Sequence, residues 1–334
     1  MSSPRILIVG PGAMGCGVSA LLAERGAEVV LLDHRPERAA EISREGLRVW
    51  EADAGRIVRV PCFADPAEAG VADLVIVLVK AYSTGEAIRH ALPCVGERTA
   101  VLTLQNGLGN HEALAECVAR ERVLAGTIVM GCTGLGVGEV RIAGVGEIVV
   151  GSPFGNAALA EATAEALGRY WPEVRYAARI EDALWRKVII NAAINPLTAF
   201  ASKRNGELLE DEGLRSRLGE TVREATAVAL ACGADPFGDE DPVAVVEEVC
   251  RITGGNRSSM LQDMDAGRRL EVDAILGEIV RRGKAAGVRA GLCEGLLASL
   301  RCVPLELSAR PEVMFCPAHD CATLERTLFN DHHR

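Results

Sequence analysis

Long apolar runs are missing from this chain of 334 residues: no stretch approaches the about 20 residues that a membrane-spanning helix needs. The first ten residues, MSSPRILIVG, carry only a short apolar run that ends in glycine, which does not fit a secretory signal. Acidic residues outnumber basic ones, with 46 Asp and Glu against 36 Lys and Arg. A net charge of -10 argues against non-specific binding to nucleic acid or to an anionic membrane. The sequence therefore predicts a cytoplasmic protein with neither nucleic acid nor membrane as a partner.

Aromatic residues make up only 4% of the chain, and no CxxC pair occurs among its eleven cysteines. The cysteines are scattered, which favours buried free thiols in a reducing compartment over disulfides. Cys316, His319 and Cys321 lie close together near the end of the chain. Three possible ligands without a fourth do not make a structural metal site, so no metal is predicted.

Strands and helices alternate through the first half of the chain. Continuous apolar runs at 5–9, 28–32, 74–79 and 100–104 are typical of parallel strands buried on both faces, and helical segments separate them. Short runs at 47–50 and 57–60 predict a hairpin. EVRIA and GEIVVG, further along, read as a second antiparallel pair that turns around Gly144.

From about residue 181 the pattern is almost wholly helical, with expected helices over 181–201, 207–233, 242–253, 257–286 and 291–302. We expect an α/β fold in which a Rossmann-type parallel-sheet domain spans 1–178 and an all-helical domain spans 179–303. Residues 304–334 have no clear period and are expected to form an irregular tail.

A complete GxGxxG motif, formed by Gly10, Gly12 and Gly15, directly follows the first apolar run and opens a helix. The first glycine permits a tight turn, the second lets the backbone approach a pyrophosphate, and the third lets helix and strand pack closely. The N-terminus of the helix offers N–H groups and partial positive charge to the phosphates. Gly10, Gly12, Gly15 and the intervening Ala13 and Met14 are therefore candidate residues of a dinucleotide site.

The end of the second strand carries signals for both nicotinamide dinucleotides. Asp33 stands where a carboxylate holds the adenosine ribose hydroxyls of NADH, although it could instead be a helix cap. His34, Arg35 and Arg38 follow, and their side chains could meet the 2′-phosphate of NADPH. The residues alone favour NADH through Asp33 and leave the other cofactor open.

Two further candidates follow strands. Lys80 comes after the run at 74–79, and Asn106 comes after the run at 100–104, at positions where ligands bind in open α/β sheets. Each residue could instead have no role in ligand binding: Lys80 could extend its side chain into solvent, and Asn106 could simply form an Asn-Gly turn.

A polar stripe marks the first helix of the second half. Lys187, Asn191 and Asn195 are spaced four residues apart, so they share one face of an otherwise apolar helix. Two asparagines and a lysine suit a ligand-binding surface better than a solvated edge, where charged pairs are commoner. Glu271 lies among apolar residues and needs a partner or a ligand, with Arg268 or Arg269 as the structural alternative.

With these motifs in place, the chain resembles the ketopantoate reductase (2-dehydropantoate 2-reductase) family of the wider 6-phosphogluconate-dehydrogenase-like group. The resemblance runs from about residue 5 to 303. It rests on GPGAMG, the Lys80 strand end and LQNG, and above all on LWRKVIINAAINPLTA and NRSSMLQD…RRLEVD. The resemblance implies hydride transfer from NAD(P)H to a 2-oxo acid, in pantothenate and coenzyme A synthesis, by a homodimer.

The resemblance also implies roles for individual residues. Lys187 matches the catalytic lysine and Glu271 the acid that binds the substrate hydroxyl. The matches to substrate-binding positions are Asn106, Asn191, Asn195, Asn205 and Ser259. Lys80 and Asn106 match residues near the cofactor and its nicotinamide.

One departure bears on the cofactor. Many members of the family carry an arginine near the end of the second strand for the 2′-phosphate of NADPH, whereas this chain reads Leu32-Asp33-His34-Arg35 there. The family favours NADPH, whose 2′-phosphate Arg35 and Arg38 could bind, while Asp33 at this strand end favours NADH. Two alternatives to ketopantoate reduction stay open, namely a paralogue that reduces another 2-oxo acid and a non-catalytic dinucleotide sensor. Retention of Lys187 and Glu271 argues against the sensor.

Overall fold

The computed structural model describes residues 3–302. It divides into two compact units, Met1–Leu184 and Trp185–Arg334. The boundary predicted after residue 178 stays a prediction. The expected tail at 304–334 and its Cys316, His319 and Cys321 lie outside the described residues.

The first unit is built on one mixed sheet of ten strands, flanked by six helices. The strands are β1 Arg5–Val9, β2 Glu28–Leu32, β3 Leu47–Glu51, β4 Ala54–Val58, β5 Cys62–Phe63, β6 Ala72–Val77, β7 Val95–Thr103, β8 Val123–Gly136, β9 Glu139–Gly151 and β10 Val174–Tyr176. The helices are α1 Ala13–Glu24, α2 Pro36–Glu45, α3 Pro66–Ala69, α4 Thr84–Ala91, α5 Asn110–Ala115 and α6 Ala157–Gly168. The predicted Rossmann-type architecture is confirmed.

The sheet has the order β4-β3-β9-β8-β7-β6-β1-β2-β5, with β10 paired to β9. The strands from β5 to β8 in this order are all parallel, and the β8–β9 and β3–β4 pairs are antiparallel. Successive residues of β1 enter opposite core clusters: Ile6 and Ile8 pack on one side, Leu7 and Val9 on the other. Burial on both faces explains why these strands read as continuous apolar runs rather than alternating ones.

The predicted antiparallel pair around Gly144 is wrong. EVRIA and GEIVVG belong to the single strand β9, whose antiparallel partner is β8. Gly144 lies opposite Gly131 in the middle of this pair, between places where the register shifts. A glycine inside a strand is a common mark of a bulge, and the bulge produced the interruption that looked like a turn.

The second unit is helical throughout the part that the structure describes. Its helices are α7 Ile180–Ala201 (which begins before the boundary), α8 Glu212–Ala231, α9 Pro242–Ile252, α10 Ser259–Asp265, α11 Glu278–Ala285 and α12 Gly291–Arg301. The buried face of α8 includes Leu214, Leu218 and Val222 at helical spacing. The helix expected over 257–286 is interrupted, since Gly267 has φ +63° after α10 and a π-helical turn, Asp273–Gly277, precedes α11.

Glu224 joins two helices of this unit. Its carboxylate accepts hydrogen bonds from the backbone N–H groups of Leu292, at 2.9 and 3.0 Å, and of Cys293, at 3.1 Å. These groups belong to the first turn of α12, where N–H donors have no partner within their own helix. A side chain of α8 thus caps α12.

Two absences apply to residues 3–302. No helix there is long and apolar enough to cross a membrane. The nine cysteines described there are all free thiols, and burial raises the pKa of those of Cys16, Cys62 and Cys250 to about 12.

Candidate active site

The carboxyl ends of four neighbouring strands carry the residues predicted for the dinucleotide. In the sheet order β7-β6-β1-β2, these strands are followed by Asn106, Lys80, Gly10 and Asp33 respectively. Ligands of open parallel sheets bind at this edge. The fold thus places the four predicted residues side by side along one edge of the sheet.

Gly10 and Gly15 of the motif occupy backbone positions that need glycine. Gly10 has φ +99°, and a Cβ there would lie 2.6 Å from Cγ1 of Val79. A Cβ on Gly15 would lie 2.1 Å from the carbonyl oxygen of Gly10, so only glycine lets α1 pack this close to the turn. A Cβ on Gly12 would meet no atom within 4 Å. The space beside Gly12 is therefore open to a ligand.

Gly12 is the N-cap of α1, is exposed, and provides no side-chain cap to the helix. Ala13 and Met14, the first two residues of the helix, are half-buried. An exposed helix N-terminus behind a close-packed glycine turn fits the pyrophosphate of a dinucleotide. The geometry of the turn thus agrees with each role expected from the motif.

The carboxylate of Asp33 does not face outward to accept hydrogen bonds from a ribose, as the expectation of NADH required. Its side chain is fully buried, and Arg38 donates to both carboxylate oxygens, from Nη2 to Oδ1 at 2.7 Å and from Nε to Oδ2. The backbone N–H of Arg35 also donates to Oδ1, at 3.2 Å. The carboxylate therefore binds Arg38 rather than facing a ribose, while the Arg35 side chain is exposed.

In the second unit, α7 carries Lys187, Asn191 and Asn195 on one face as predicted. Lys187 and Asn191 are half-buried and Asn195 is buried. Burial lowers the pKa of Lys187 to about 8, against an opposing, pKa-raising effect of the Glu271 carboxylate. An ammonium with this pKa can release its proton near neutral pH.

Glu271 is buried and lies within electrostatic range of Lys187. The two arginines proposed as its structural partners have other acidic neighbours. Arg268 donates from Nε to Oδ1 of Asp263 at 2.8 Å, and Nη2 of Arg269 lies 3.8 Å from Asp273. The structure therefore brings the predicted acid and the predicted lysine together.

Ser259 and Asn195 also come together, with 3.5 Å between Asn195 Nδ2 and Ser259 Oγ. The preceding residue, Ser258, accepts a hydrogen bond from the backbone N–H of Leu261 and so caps α10. Thr198 of α7 donates to Ser258 Oγ at 2.6 Å and is wholly buried. Sequence analysis missed Thr198; its spacing of three residues from Asn195 was the available signal.

Asn205 is buried near the end of α9. Its Nδ2 donates to Thr253 Oγ1 at 2.9 Å, and its backbone N–H donates to the carbonyl of Asn256 at 3.1 Å. Its Oδ1 is a buried oxygen without a hydrogen-bond partner in the structure. Asn205 thus has an acceptor to offer a ligand or a water molecule.

Comparison with known proteins gives the chain its family. Residues 6–154 match the family model for ketopantoate reductase PanE/ApbA, and residues 179–303 match the model for its C-terminal part. The 2-dehydropantoate 2-reductase of Halobacterium salinarum is 38% identical over 84% of this chain and 92% of its own. The chain belongs to the ketopantoate reductase family. The resemblance inferred from the motifs is therefore confirmed.

Solved structures agree with this membership. A PanE/ApbA family ketopantoate reductase from Ralstonia eutropha JMP134 has a TM-score of 0.79 at 32% identity, covering 89% of this chain and 97% of that one. A D-mandelate dehydrogenase, solved with NADH and anilino(oxo)acetate, has a TM-score of 0.82 at 25% identity with the same coverage. Proteins with this fold thus include both a ketopantoate reductase and a dehydrogenase of a different 2-hydroxy acid.

Proposed function

We propose that this protein reduces 2-dehydropantoate to pantoate with a nicotinamide dinucleotide, a step of pantothenate and coenzyme A synthesis. The observation that carries the proposal is the half-buried Lys187 beside the buried Glu271. Burial lowers the pKa of this lysine to about 8. The chain is also 38% identical to a 2-dehydropantoate 2-reductase. A dinucleotide sensor would need neither side chain.

The bound dinucleotide supplies a hydride to the carbonyl carbon of the oxo acid. The Lys187 ammonium gives a proton to the carbonyl oxygen as negative charge develops there, and the lysine is left neutral. Because that charge grows during the reaction, the ammonium stabilises the transition state more than the ground state. Glu271 accepts a hydrogen bond from the hydroxyl of the substrate and favours the charged form of Lys187.

The remaining substrate contacts follow the family roles. Asn191 and Asn195 extend the polar face of α7 beyond Lys187, and Ser259 stands beside Asn195, where its hydroxyl can donate to the carboxylate of the oxo acid. The unpaired Oδ1 of Asn205 can accept from a polar group of the substrate. Asn106 contacts the substrate next to the nicotinamide, and Lys80 binds the cofactor.

For the cofactor we propose NADPH over NADH. The Asp33 carboxylate is buried and neutralised by Arg38, so two guanidiniums, those of Arg35 and Arg38, outweigh one carboxylate at the end of β2. A net positive charge favours a 2′-phosphate, and a guanidinium binds phosphate in a bidentate manner. This reverses the preference expected from Asp33 in the sequence.

The cofactor proposal is tested by the Kd of NADPH and of NADH for the wild type, Arg35→Ala and Arg38→Ala. We expect wild type to prefer NADPH by about tenfold or more, which is about 1.4 kcal/mol. Each variant should lose affinity for NADPH and keep most of its affinity for NADH. A wild-type preference for NADH would contradict the proposal and return Asp33 to the ribose.

The second candidate is reduction of another 2-oxo acid, which the similarity to D-mandelate dehydrogenase favours. One assay separates the candidates: dinucleotide oxidation is followed with 2-dehydropantoate, with the oxo acid of mandelate and with related 2-oxo acids. The proposal requires the highest kcat/KM with 2-dehydropantoate. Tight dinucleotide binding without turnover of any oxo acid would instead support the sensor. The homodimer and the cytoplasmic location stay predictions, the first of which light scattering can test.

A further inference from the structure

Four buried polar side chains lie beneath the loops that follow β6 and β7. They are Thr84, Thr103, Gln105 and Asn110, with exposed fractions of 1%, 3%, 6% and 5%. We call them the loop network. A buried polar group costs free energy unless it is hydrogen-bonded, so their partners decide what the network does.

Gln105 joins the two strand ends. Its Nε2 donates to the carbonyl of Val79 at 2.8 Å and to Oγ1 of Thr84 at 2.8 Å, and its Oε1 accepts from Thr103 Oγ1 at 2.9 Å. Val79 immediately precedes Lys80, and its Cγ1 occupies the space that a Cβ on Gly10 would need. Gln105 therefore ties the end of β7 to the loop after β6.

Thr84 and Asn110 extend the network to both loops. The Thr84 hydroxyl can donate to the carbonyl of Ala81, at 2.8 Å, or to Oδ1 of Asn110, at 3.2 Å. Asn110 Nδ2 donates to the carbonyl of Asn106 at 3.0 Å. The network thus bonds the backbone on each side of Lys80 and the backbone of Asn106 itself.

The choice of acceptors argues for more than packing. Apolar side chains of the same volume would fill this space without any desolvation cost, as Val75, Val77 and Val101 do within β6 and β7. The backbone acceptors of the network are the carbonyls of the two loops that follow the strands. A buried hydrogen-bond network of this kind fixes one backbone conformation among several that a loop could adopt.

We propose that Thr84, Gln105 and Asn110 are positioning residues, which hold the Lys80 and Asn106 loops in the conformation that binds the dinucleotide. The inference rests on the proposed function, because it takes these loops as part of the cofactor site. Residues that hold functional groups through a shell of hydrogen bonds affect binding and rate without touching the ligand.

The chain provides a matched control in Thr99, which is 2% exposed. Thr99 Oγ1 donates to the carbonyl of Ala72 at 2.6 Å and accepts from the N–H of Gly96 at 2.9 Å, at the opposite ends of the same two strands. Thr84, the first residue of α4, and Thr99 of β7 are equally buried, so Thr84→Val and Thr99→Val each remove one buried hydroxyl, near the loops and away from them respectively.

The experiment measures the Kd of NADPH and of NADH by fluorescence, without any oxo acid, together with Tm and kcat. We expect both variants to lower Tm, and only Thr84→Val to weaken dinucleotide binding, by about tenfold. Misplacement by about 1 Å can cost up to about a hundredfold in rate, so kcat should fall as well. Thr84→Ser, which keeps the hydroxyl, should restore the wild-type Kd.

Equal dinucleotide binding by Thr84→Val and Thr99→Val would overturn the inference. If Thr84→Val does not fold, Asn110→Ala decides the matter, since it removes the bond to Asn106 and one of the two acceptors of Thr84 while it leaves the bonds of Gln105 in place. It should lower kcat about tenfold, and an unchanged kcat and Kd would again overturn the inference. A wild-type protein that binds neither dinucleotide would instead refute the proposed function, and that result is visible before any variant is made.

Discussion

The lowered pKa of Lys187 predicts how the reduction rate depends on pH. The proposed mechanism uses the ammonium form as proton donor, so the rate must follow the protonated fraction of this lysine. With a pKa of about 8 rather than the ordinary 10.5, that fraction changes within the range in which the enzyme can be assayed. Raising the pH from 7 to 9 is therefore the perturbation.

The size of the effect follows from the titration. With a pKa of about 8, about nine-tenths of the lysine is protonated at pH 7 and about one-tenth at pH 9. The kcat/KM for reduction should fall about tenfold over these two pH units. At the ordinary value of 10.5 almost all of the lysine would still be protonated at pH 9, and the rate would stay nearly constant. In the oxidation direction neutral Lys187 is the base, so the rate should rise over the same interval.

The assay is dinucleotide oxidation at several pH values, with Lys187→Arg as the variant that isolates the lysine. A guanidinium does not deprotonate in this range. The variant should therefore be slower, by about 10² to 10⁴ where geometry is lost, and its residual rate should no longer decline above pH 8. Dinucleotide Kd at each pH is the control that separates proton transfer from cofactor binding.

Two results would refute this reasoning. One is a wild-type profile that is flat from pH 7 to 9, which would mean that burial does not lower the pKa of Lys187. The other is the same decline in Lys187→Arg as in wild type, which would assign the titration to another group. Glu271→Gln provides a further check, because removing the carboxylate that raises the pKa of Lys187 should move the decline to lower pH.

Four other changes test the helical unit. Glu271→Ala should raise KM for a hydroxyl-bearing oxo acid, because about 1–3 kcal/mol of substrate binding energy is lost. An equal rise in KM for an oxo acid without the hydroxyl would mean that Glu271 has a structural role. Thr198→Val removes the hydrogen bond to Ser258, next to Ser259, and should raise KM for the oxo acid several-fold, which is about 1 kcal/mol. A change in the Kd of the dinucleotide would contradict this local role. Glu224→Ala should lower the free energy of unfolding by about 0.5–2 kcal/mol in denaturant melts, because α12 loses its cap; an unchanged midpoint would mean that the bonds carry no net stability. Asn205→Ala should raise KM about tenfold if its Oδ1 binds substrate, and an unaltered KM would leave that oxygen to water.

Local constraints made much of the site readable from the sequence. The glycine turn was predictable because its backbone demands are met by residue types at fixed spacing, and the structure has φ +99° at Gly10 and open space at Gly12. The stripe from Lys187 to Asn195 was predictable because helical periodicity alone puts those residues on one face. In both places a short segment contains all of the information.

What escaped prediction depends on partners brought together by the fold. Asp33 is separated from Arg38 by a strand end and the first turn of α2, so no periodic pattern links them, and position alone suggested a ribose-binding carboxylate. The loop network joins Thr84 to Gln105 across two strands of the sheet. Gly144 was misread for the opposite reason: a glycine that serves a bulge looks the same in sequence as one that makes a turn.

Hydrogen-bond accounting separates the two kinds of buried polar residue in this protein. Both oxygens of Asp33 accept bonds from within its own unit, so the carboxylate has a structural partner and its burial needs no ligand. Asn205 differs, because its Nδ2 donates to a Thr253 hydroxyl that itself donates to the carbonyl of Val249 at 2.6 Å. Rotating the amide would set its oxygen against that hydroxyl, whose proton is already engaged, so the unpaired Oδ1 cannot be removed by a flip. No donor within residues 3–302 reaches this buried acceptor, so a substrate that supplies one gains binding energy that the described part of the fold leaves unused.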